Sequence, residues 1–422
     1  MYNFGRHPDD YNMMPPFFES FLKGLEDAGN QVLCFHHKIY RREFVGKIPA
    51  AYKSIIKEFN PELCILFNFS FWDISDVVDC PIIIYDTDSP IYFCHLDVLK
   101  QKTDRFLFVA GQSKMPELYR KMFGVNDEQV CHVPFFTAVQ ADPNANPIHN
   151  IGFLGANFSD NGCGFVRKFI DSNPSNDDRH AAKEALQEFL KRPFSDFDSI
   201  YDDNDISASV RMTCPDYVQA AIELSGIKRM EILNALTDLG LEIRGKYWTR
   251  KIMDLYPQLM LAFDQTPTWG LQDNQDFYNS NIISVNTTHI QDLSGFSFRV
   301  CDIMASNSCL VSEYRPDIVT LFPKANIPTF TNAYEAREQC IKILNNKNLR
   351  DDIVAASHEA IDQSYRFINV LNSLEEFTGM TLHSNAEGSM ELFHEPFTTH
   401  YIKNKFYCAL RLVKDTTHKS GH

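Results

Sequence analysis

The chain is 422 residues long, 44% hydrophobic and 23% charged, with a formal net charge of −15. That length predicts two domains, and the negative charge excludes nucleic-acid backbones and anionic lipid as bulk partners. No apolar run reaches the roughly 20 residues that span a bilayer, and Met1 to His7 lacks the basic-then-apolar order of a secretory leader, so a cytoplasmic protein is expected.

Phe17 to Asp27 has helical spacing and stops at Gly29. Short apolar strands then alternate with helical stretches. The strands are Gln31–Phe35, Leu63–Phe67, Pro81–Tyr85 and Arg105–Val109; the helices include Ile48–Phe59 and Leu118–Phe123. This pattern predicts a parallel sheet covered on both faces. A second unit opens with the strand Ile151–Gly155. A polar stretch at about 173–225 interrupts it and reads as a helical insertion. Alternation resumes with the helix Arg229–Leu239, the strands Leu241–Arg244, Ile282–Val285 and Cys309–Val311, and the helices Phe298–Ala305, Asn332–Leu344 and Leu349–Phe367. Two doubly wound units place a cleft between two sets of strand C-termini, where such sheets bind ligands.

The 11 cysteines form no CxxC pair, which argues against a structural zinc site. Cys34, Cys64, Cys80, Cys301 and Cys309 sit among apolar residues and read as buried small hydrophobes. No G-x-S-x-G, Walker A loop, H-E-x-x-H or G-x-G-x-x-G occurs, which argues against hydrolase, P-loop, zincin and dinucleotide classes.

The stretch Tyr278 to Pro323 carries the chemistry. A strand ends at Asn286, a polar turn contains Ser294 and Gly295, and a helix follows with Arg299 and Asp302 on one face. Backbone amides near Ser297 and the fork of Arg299 suit a diphosphate. Asp302 suits two ribose hydroxyls. An i, i+3 surface ion pair is the alternative reading of Arg299 and Asp302. Asp86-Thr87-Asp88 is a DxD at a strand end, which in other proteins holds a divalent metal. Lying in the first unit, it reads rather as a turn or as a cleft-facing carboxylate, Asp88, acting on the acceptor. His7, in the polar loop from Gly5 to Asn12 that would follow a first strand at the start of the chain, is a candidate for proton transfer. In the tail from Tyr401 to His422, Ile402, Phe406, Leu410 and Val413 fall at helical spacing beside basic residues. A basic amphipathic helix there would give peripheral contact with the inner face of a membrane.

The Tyr278 to Pro323 stretch resembles the spore-maturation-type (CgeB-like) glycosyltransferases, within the wider glycosyl transferases group 1. The matching residues are Ser280, Ile282 and Asn286, then Gly295, Phe296, Ser297, Arg299 and Asp302, then Tyr314 to Asp317 with Leu321 and Phe322. Weaker matches run from Ile151 to Ser159, around Gly155, and from Arg229 to Trp248. The resemblance implies a GT-B fold of two Rossmann-like domains facing a cleft. An acceptor-side domain would occupy 1–147 and a nucleotide-sugar domain 148–345, and C-terminal helices over 349–422 would brace both. It further implies transfer of a sugar, as by a hexosyltransferase, from a nucleoside-diphosphate donor. UDP is the first expectation and GDP the second; the acceptor would be a glycan, a lipid-linked sugar or a protein. Gly155, Lys246, Asn286, Ser294, Gly295, Phe296, Ser297, Arg299 and Asp302 would bind the donor without a metal cofactor, with His7, Asp88 and Arg299 in catalytic roles. A non-catalytic nucleotide-sugar or glycan-binding protein on the same scaffold is the alternative. The wider group carries a glutamate where this chain has Ser294, which leaves the donor sugar and the stereochemical outcome open.

Overall fold

The computed structural model describes residues 15–36, 48, 50–68, 72–87, 96–158, 164–172, 177–191, 215–246, 248, 255–268, 270–289, 292–394, 397–402 and 405–410. His7 and Asp88 lie outside the described residues.

The first unit opens with α1 (Pro16–Asp27), which buries Phe17, Phe18, Phe21 and Leu22 on one face. Gly29, at φ +84, turns the chain into β1 (Gln31–His36). Next come α2 (Ala50–Phe59), β2 (Cys64–Phe67), β3 (Ile82–Asp86), α3 (Leu96–Gln101), β4 (Phe106–Ala110), α4 (Met115–Phe123) and β5 (Val130–His132). β2-β3-β4-β5 form a parallel sheet in that order. Every residue of β3 is buried, as expected of a strand covered on both faces.

The second unit holds β6 (His149–Leu154), α5 (Phe165–Asp171), α6 (Asp177–Lys191), α7 (Pro215–Asn234), β7 (Leu241–Arg244), α8 (Pro257–Ala262), α9 (Gly270–Asn279), β8 (Asn281–Asn286), α10 (Arg299–Met304), β9 (Cys309–Glu313), α11 (Pro316–Leu321), β10 (Thr329–Phe330), α12 (Ala333–Asn345), α13 (Lys347–Ser364) and α14 (Phe367–Thr378). Its five strands are parallel in the order β10-β9-β8-β6-β7. The two parallel α/β sheets are the pair of Rossmann-like units that the GT-B expectation requires. They share one apolar core: Phe17 of α1 stacks on Phe298 at 5.4 Å, and the same cluster holds Tyr85, Phe136 and Val300.

Two expectations need correction. The helix expected from Arg229 begins at Pro215, so it runs through the expected end of the insertion at 225. Gly226 does not break it, because buried Ala220, Ala221 and Leu224 continue into Met230, Ile232 and Leu233; packing outweighs the roughly 1 kcal/mol that a helical glycine costs. The region after 349 is not all helical. β11 (Ser389–His394) pairs in parallel with β1, and β12 (Phe397–Ile402) pairs antiparallel with β13 (Lys405–Leu410). These runs are rich in aromatic and β-branched residues, which favour strands, and the helical spacing of Ile402, Phe406 and Leu410 gives way to the ladder.

Candidate functional site

The strand order of the second sheet reverses at β6: the chain passes from β6 to β7 on one side and to β8, β9 and β10 on the other. The crevice outside the C-terminal ends of β6 and β8 is therefore the topological switch point, where open α/β sheets bind ligands. Two arginines meet there. Arg229, on α7, is 2% exposed. Its guanidinium donates to the Ala156 carbonyl after β6, and to Thr287 Oγ1 (2.8 Å) and the Thr287 carbonyl (3.2 Å) after β8. Arg299, at the start of α10, donates to Asn286 Oδ1 at 3.1 Å and hydrogen-bonds Tyr278. Both guanidinium groups lie against the Phe153 ring, at 5.2 and 5.6 Å.

Neither arginine forms an ion pair with a described carboxylate. Burial, then repulsion from Arg299, pushes Arg229 well below its usual range, and Glu313 and Asp292 offset this only through space. Like charges held close in a low-dielectric crevice favour an anionic guest. Gly155 leaves room for this arrangement: a Cβ there would meet Arg299 Nη2 at 3.0 Å and the Phe153 ring at 3.1 Å. Asn157 donates its amide to the Lys246 carbonyl at 2.8 Å, which ties the loops after β6 and β7 together.

A second buried charge group borders the arginines. Glu313, at the end of β9, accepts from Lys228 Nζ at 2.5 Å and from the Thr288 amide at 2.9 Å, and faces Arg315 Nη2 at 3.6 Å. Burial pushes the Glu313 carboxyl up, but Lys228 and Arg315 outweigh it and hold the group below the usual range. His289, edge-on to Phe158 at 4.7 Å, is held well below its usual value by burial and by Arg229, Lys228 and Arg315, so its imidazole is neutral.

Of the residues expected at the donor site, Gly155, Lys246, Asn286, Ser297 and Arg299 gather at the switch point. Ser294 and Gly295 face the first unit instead. The amides of Leu293, Ser294 and Gly295 converge on one oxygen, Gln112 Oε1, at 2.7, 3.3 and 3.2 Å, and Asp317 accepts from Ser113 and Ser294. A Cβ on Gly295 would sit 2.4 Å from Gln112 Cγ, so Gly295→Ala should lower the melting temperature by several degrees; unchanged melting would show that Gln112 simply turns away. Phe296 is buried in the shared core, 5.5 Å from Phe322. Asp86 is buried at the end of β3, near the Tyr119 hydroxyl, which burial and the Asp86 carboxylate push well above the usual phenol range. Among the described residues no group of three His, Cys, Asp or Glu could hold a metal ion.

Asp302 is 6% exposed and accepts from Thr137 Oγ1 at 2.6 Å. Burial pushes its carboxyl up to about 6, against the pull of Thr137 and Arg299. A carboxyl that binds its proton more tightly when folded adds stability that is full below its unfolded value and is lost as pH rises through about 6. Asp302→Asn keeps an acceptor and removes the charge. Between pH 4 and 7 the variant should gain roughly 2–3 kcal/mol relative to the parent chain, read by urea unfolding at both values. A pH-independent difference would mean that the carboxylate is solvated.

Sequence reasoning missed Gln112, Lys228 and Glu313, and assigned no role to Arg229, Arg315 or Asp317. Arg229 opens the matching stretch from Arg229 to Trp248, and Arg315 and Asp317 lie in the Tyr314–Asp317 segment, so the family likeness held that signal for these three, whereas Lys228 lies just outside it. Residues 229–376 match a family described as glycosyl transferase-like. That span contains both switch-point arginines. No curated protein matches the chain. Solved structures similar to it include sucrose-phosphate synthase from Thermosynechococcus elongatus, at 9% identity and a TM-score of 0.47 over 86% of this chain and 92% of that one. Anabaena HepE in complex with UDP-glucose is 11% identical, at a TM-score of 0.46 over 78% and 81%. Accessory secretory protein 1, 2 and 3 from Streptococcus pneumoniae is 9% identical, at a TM-score of 0.43 over 78% of this chain; the chain spans 55% of that chain. No helix among the described residues is long and apolar enough to cross a membrane.

Proposed function

We propose that the chain is a glycosyltransferase of the spore-maturation type that binds a nucleoside-diphosphate sugar at the switch point of its second sheet. The carrying observation is the pair of arginines, Arg229 and Arg299, packed on Phe153 without a described carboxylate partner. A diphosphate supplies the missing negative charge. During transfer, charge builds on the departing diphosphate, and fixed cations in a dry crevice stabilise that charge without reorganising. Arg299 is the half-buried member and the one we assign to the leaving oxygen; Asn286 and Tyr278 hold its fork in place. Arg229 fixes the floor of the crevice. The acceptor is a glycan, a lipid-linked sugar or a protein, entering from the first unit.

Calorimetry with a nucleotide panel tests this reading, with UDP expected first and GDP second. Failure of every nucleoside diphosphate to bind would overturn it, and binding without turnover of any donor sugar would favour a non-catalytic binding protein. Because the arginines take the place of metal charge, nucleotide binding should survive a chelator. Loss of binding in EDTA with recovery in manganese would move the donor site to Asp86 and Asp88.

A further inference from the structure

Cys64 opens β2, and Cys80 lies two residues before the start of β3. The strands run parallel with Cys64 opposite Ile82, and the Cys64 amide donates to the Pro81 carbonyl at 3.0 Å. Cys64 thus grips the residue next to Cys80. Alternate residues along a strand share a face, which puts Cys80 on the face of Ile82 and Cys64. Packing agrees. Both cysteines lie against the cluster of Leu66, Ile82 and Ile84, whereas Ile65 and Ile83 pack in the core on the opposite face. Neighbouring strands lie about 4.8 Å apart, within the roughly 4.4–6.8 Å between Cα atoms that a disulfide spans. Both thiols are free and only partly buried.

The two thiols are electrically unequal. Arg105 donates from Nη2 to the Val78 carbonyl at 2.8 Å, which anchors its guanidinium two residues from Cys80. The neighbouring Cys64 thiol, and then Arg105, hold Cys80 below the ordinary thiol range against burial and Asp79. Cys80 and burial push Cys64 up. The thiolate is the reactive form, so Cys80 is the attacking group. We propose that Cys64 and Cys80 are a peroxide-sensitive pair that closes to a reversible disulfide between β2 and β3. The Cys80 thiolate attacks one peroxide oxygen, the O–O bond breaks, and water leaves with the Cys80 proton, giving a sulfenic acid. The Cys64 sulfur then attacks the Cys80 sulfur. The S–O bond breaks, and a second water carries away the hydroxyl and the Cys64 proton. The two thiols lose two electrons and the peroxide gains them. The link joins the N-terminal ends of β2 and β3, whereas the loop after β4, at the other end of the sheet, is the part that meets the second unit. It therefore stiffens the first unit away from the crevice. This inference does not depend on the glycosyltransferase reading.

Peroxide treatment of the full chain, then alkylation, chymotrypsin digestion and mass mapping, tests it. Chymotrypsin cuts after Phe67 and Trp72, so the link leaves two peptides joined until a reductant separates them. The joined pair should form before Cys34 or Cys131 is modified, because burial pushes both of those thiols up to about 12. In Cys64→Ser, Cys80 should accumulate as a sulfenic acid. A dimedone probe should label it on the order of tenfold more than it labels Cys64 in Cys80→Ser. Mapping in the parent chain requires neither variant to fold. No joined pair at millimolar peroxide would overturn the proposal, as would linkage of Cys80 to another cysteine, or a link that forms no sooner than Cys34 and Cys131 react. Equal labelling of the two variants would overturn the assignment of Cys80 as the attacking thiol.

Discussion

Arg299→Ala is expected to weaken nucleoside-diphosphate binding by about 10- to 150-fold, since a charge-assisted contact to phosphate contributes roughly 1.5–3 kcal/mol. Melting should change little, because Arg299 is half-buried and its described partners are the neutral Asn286 and Tyr278. Turnover should fall further than affinity, because charge on the leaving oxygen peaks in the transition state. Arg299→Lys keeps the charge and loses the fork, so only partial recovery is expected. Arg229→Ala separates the two arginines. Arg229 is buried and bridges the loops after β6 and β8, so its loss leaves buried acceptors unpaired and costs stability by roughly 1–3 kcal/mol as well as affinity. Calorimetry and thermal melting on the same samples distinguish the two patterns. A fully active Arg299→Ala chain that binds nucleotide as before would leave Arg299 a partly solvated helix residue.

Much of this arrangement is legible in the sequence, and the parts that are not share a cause. Buried strands such as Ile82–Asp86 announce themselves as short apolar runs, because a parallel strand is covered on both faces. Arg299 and Asn286 stand out because a strand end and a helix start lie close in sequence. Gln112 does not stand out. Its role exists only because the loop after β4 meets the 293–295 amides from the other unit, 181 residues away. Lys228 and Glu313 are also distant in sequence, and a Lys-Arg pair on a helix reads as a solvated face until tertiary packing buries it. Asp302 shows the limit of periodicity. Spacing puts it on the face of Arg299, but the shared core directs its carboxylate to Thr137. The tail misleads for a related reason: a spacing of four residues fits a helix, and the same residues also fit an alternating ladder.

Glu313→Gln should be among the most destabilising single substitutions in the second unit. The substitution preserves shape but leaves Lys228 and Arg315 without the carboxylate they share. Removing one partner from a buried ion pair costs about 3–5 kcal/mol, because the remaining charge stays desolvated. Lys228 shows the strain already: burial pulls its ammonium below the usual range, and Glu313 is the first group opposing that pull. The double variant Lys228→Met with Glu313→Leu should therefore lose much less than the sum of the two single losses. The pH dependence has a definite sign. Glu313 is held below its ordinary value in the folded chain, so its contribution is present above the unfolded carboxyl value, about 4.3, and is lost as pH falls through the folded value. Urea unfolding at pH 7 should show the full loss in Glu313→Gln, and the gap to the parent should narrow in acid. The same substitution adds net positive charge beside Arg229, so the folded fraction should bind a nucleoside diphosphate at least as tightly as the parent. A stable Glu313→Gln chain would mean that water already solvates Lys228 and that the crevice is wetter than its burial indicates.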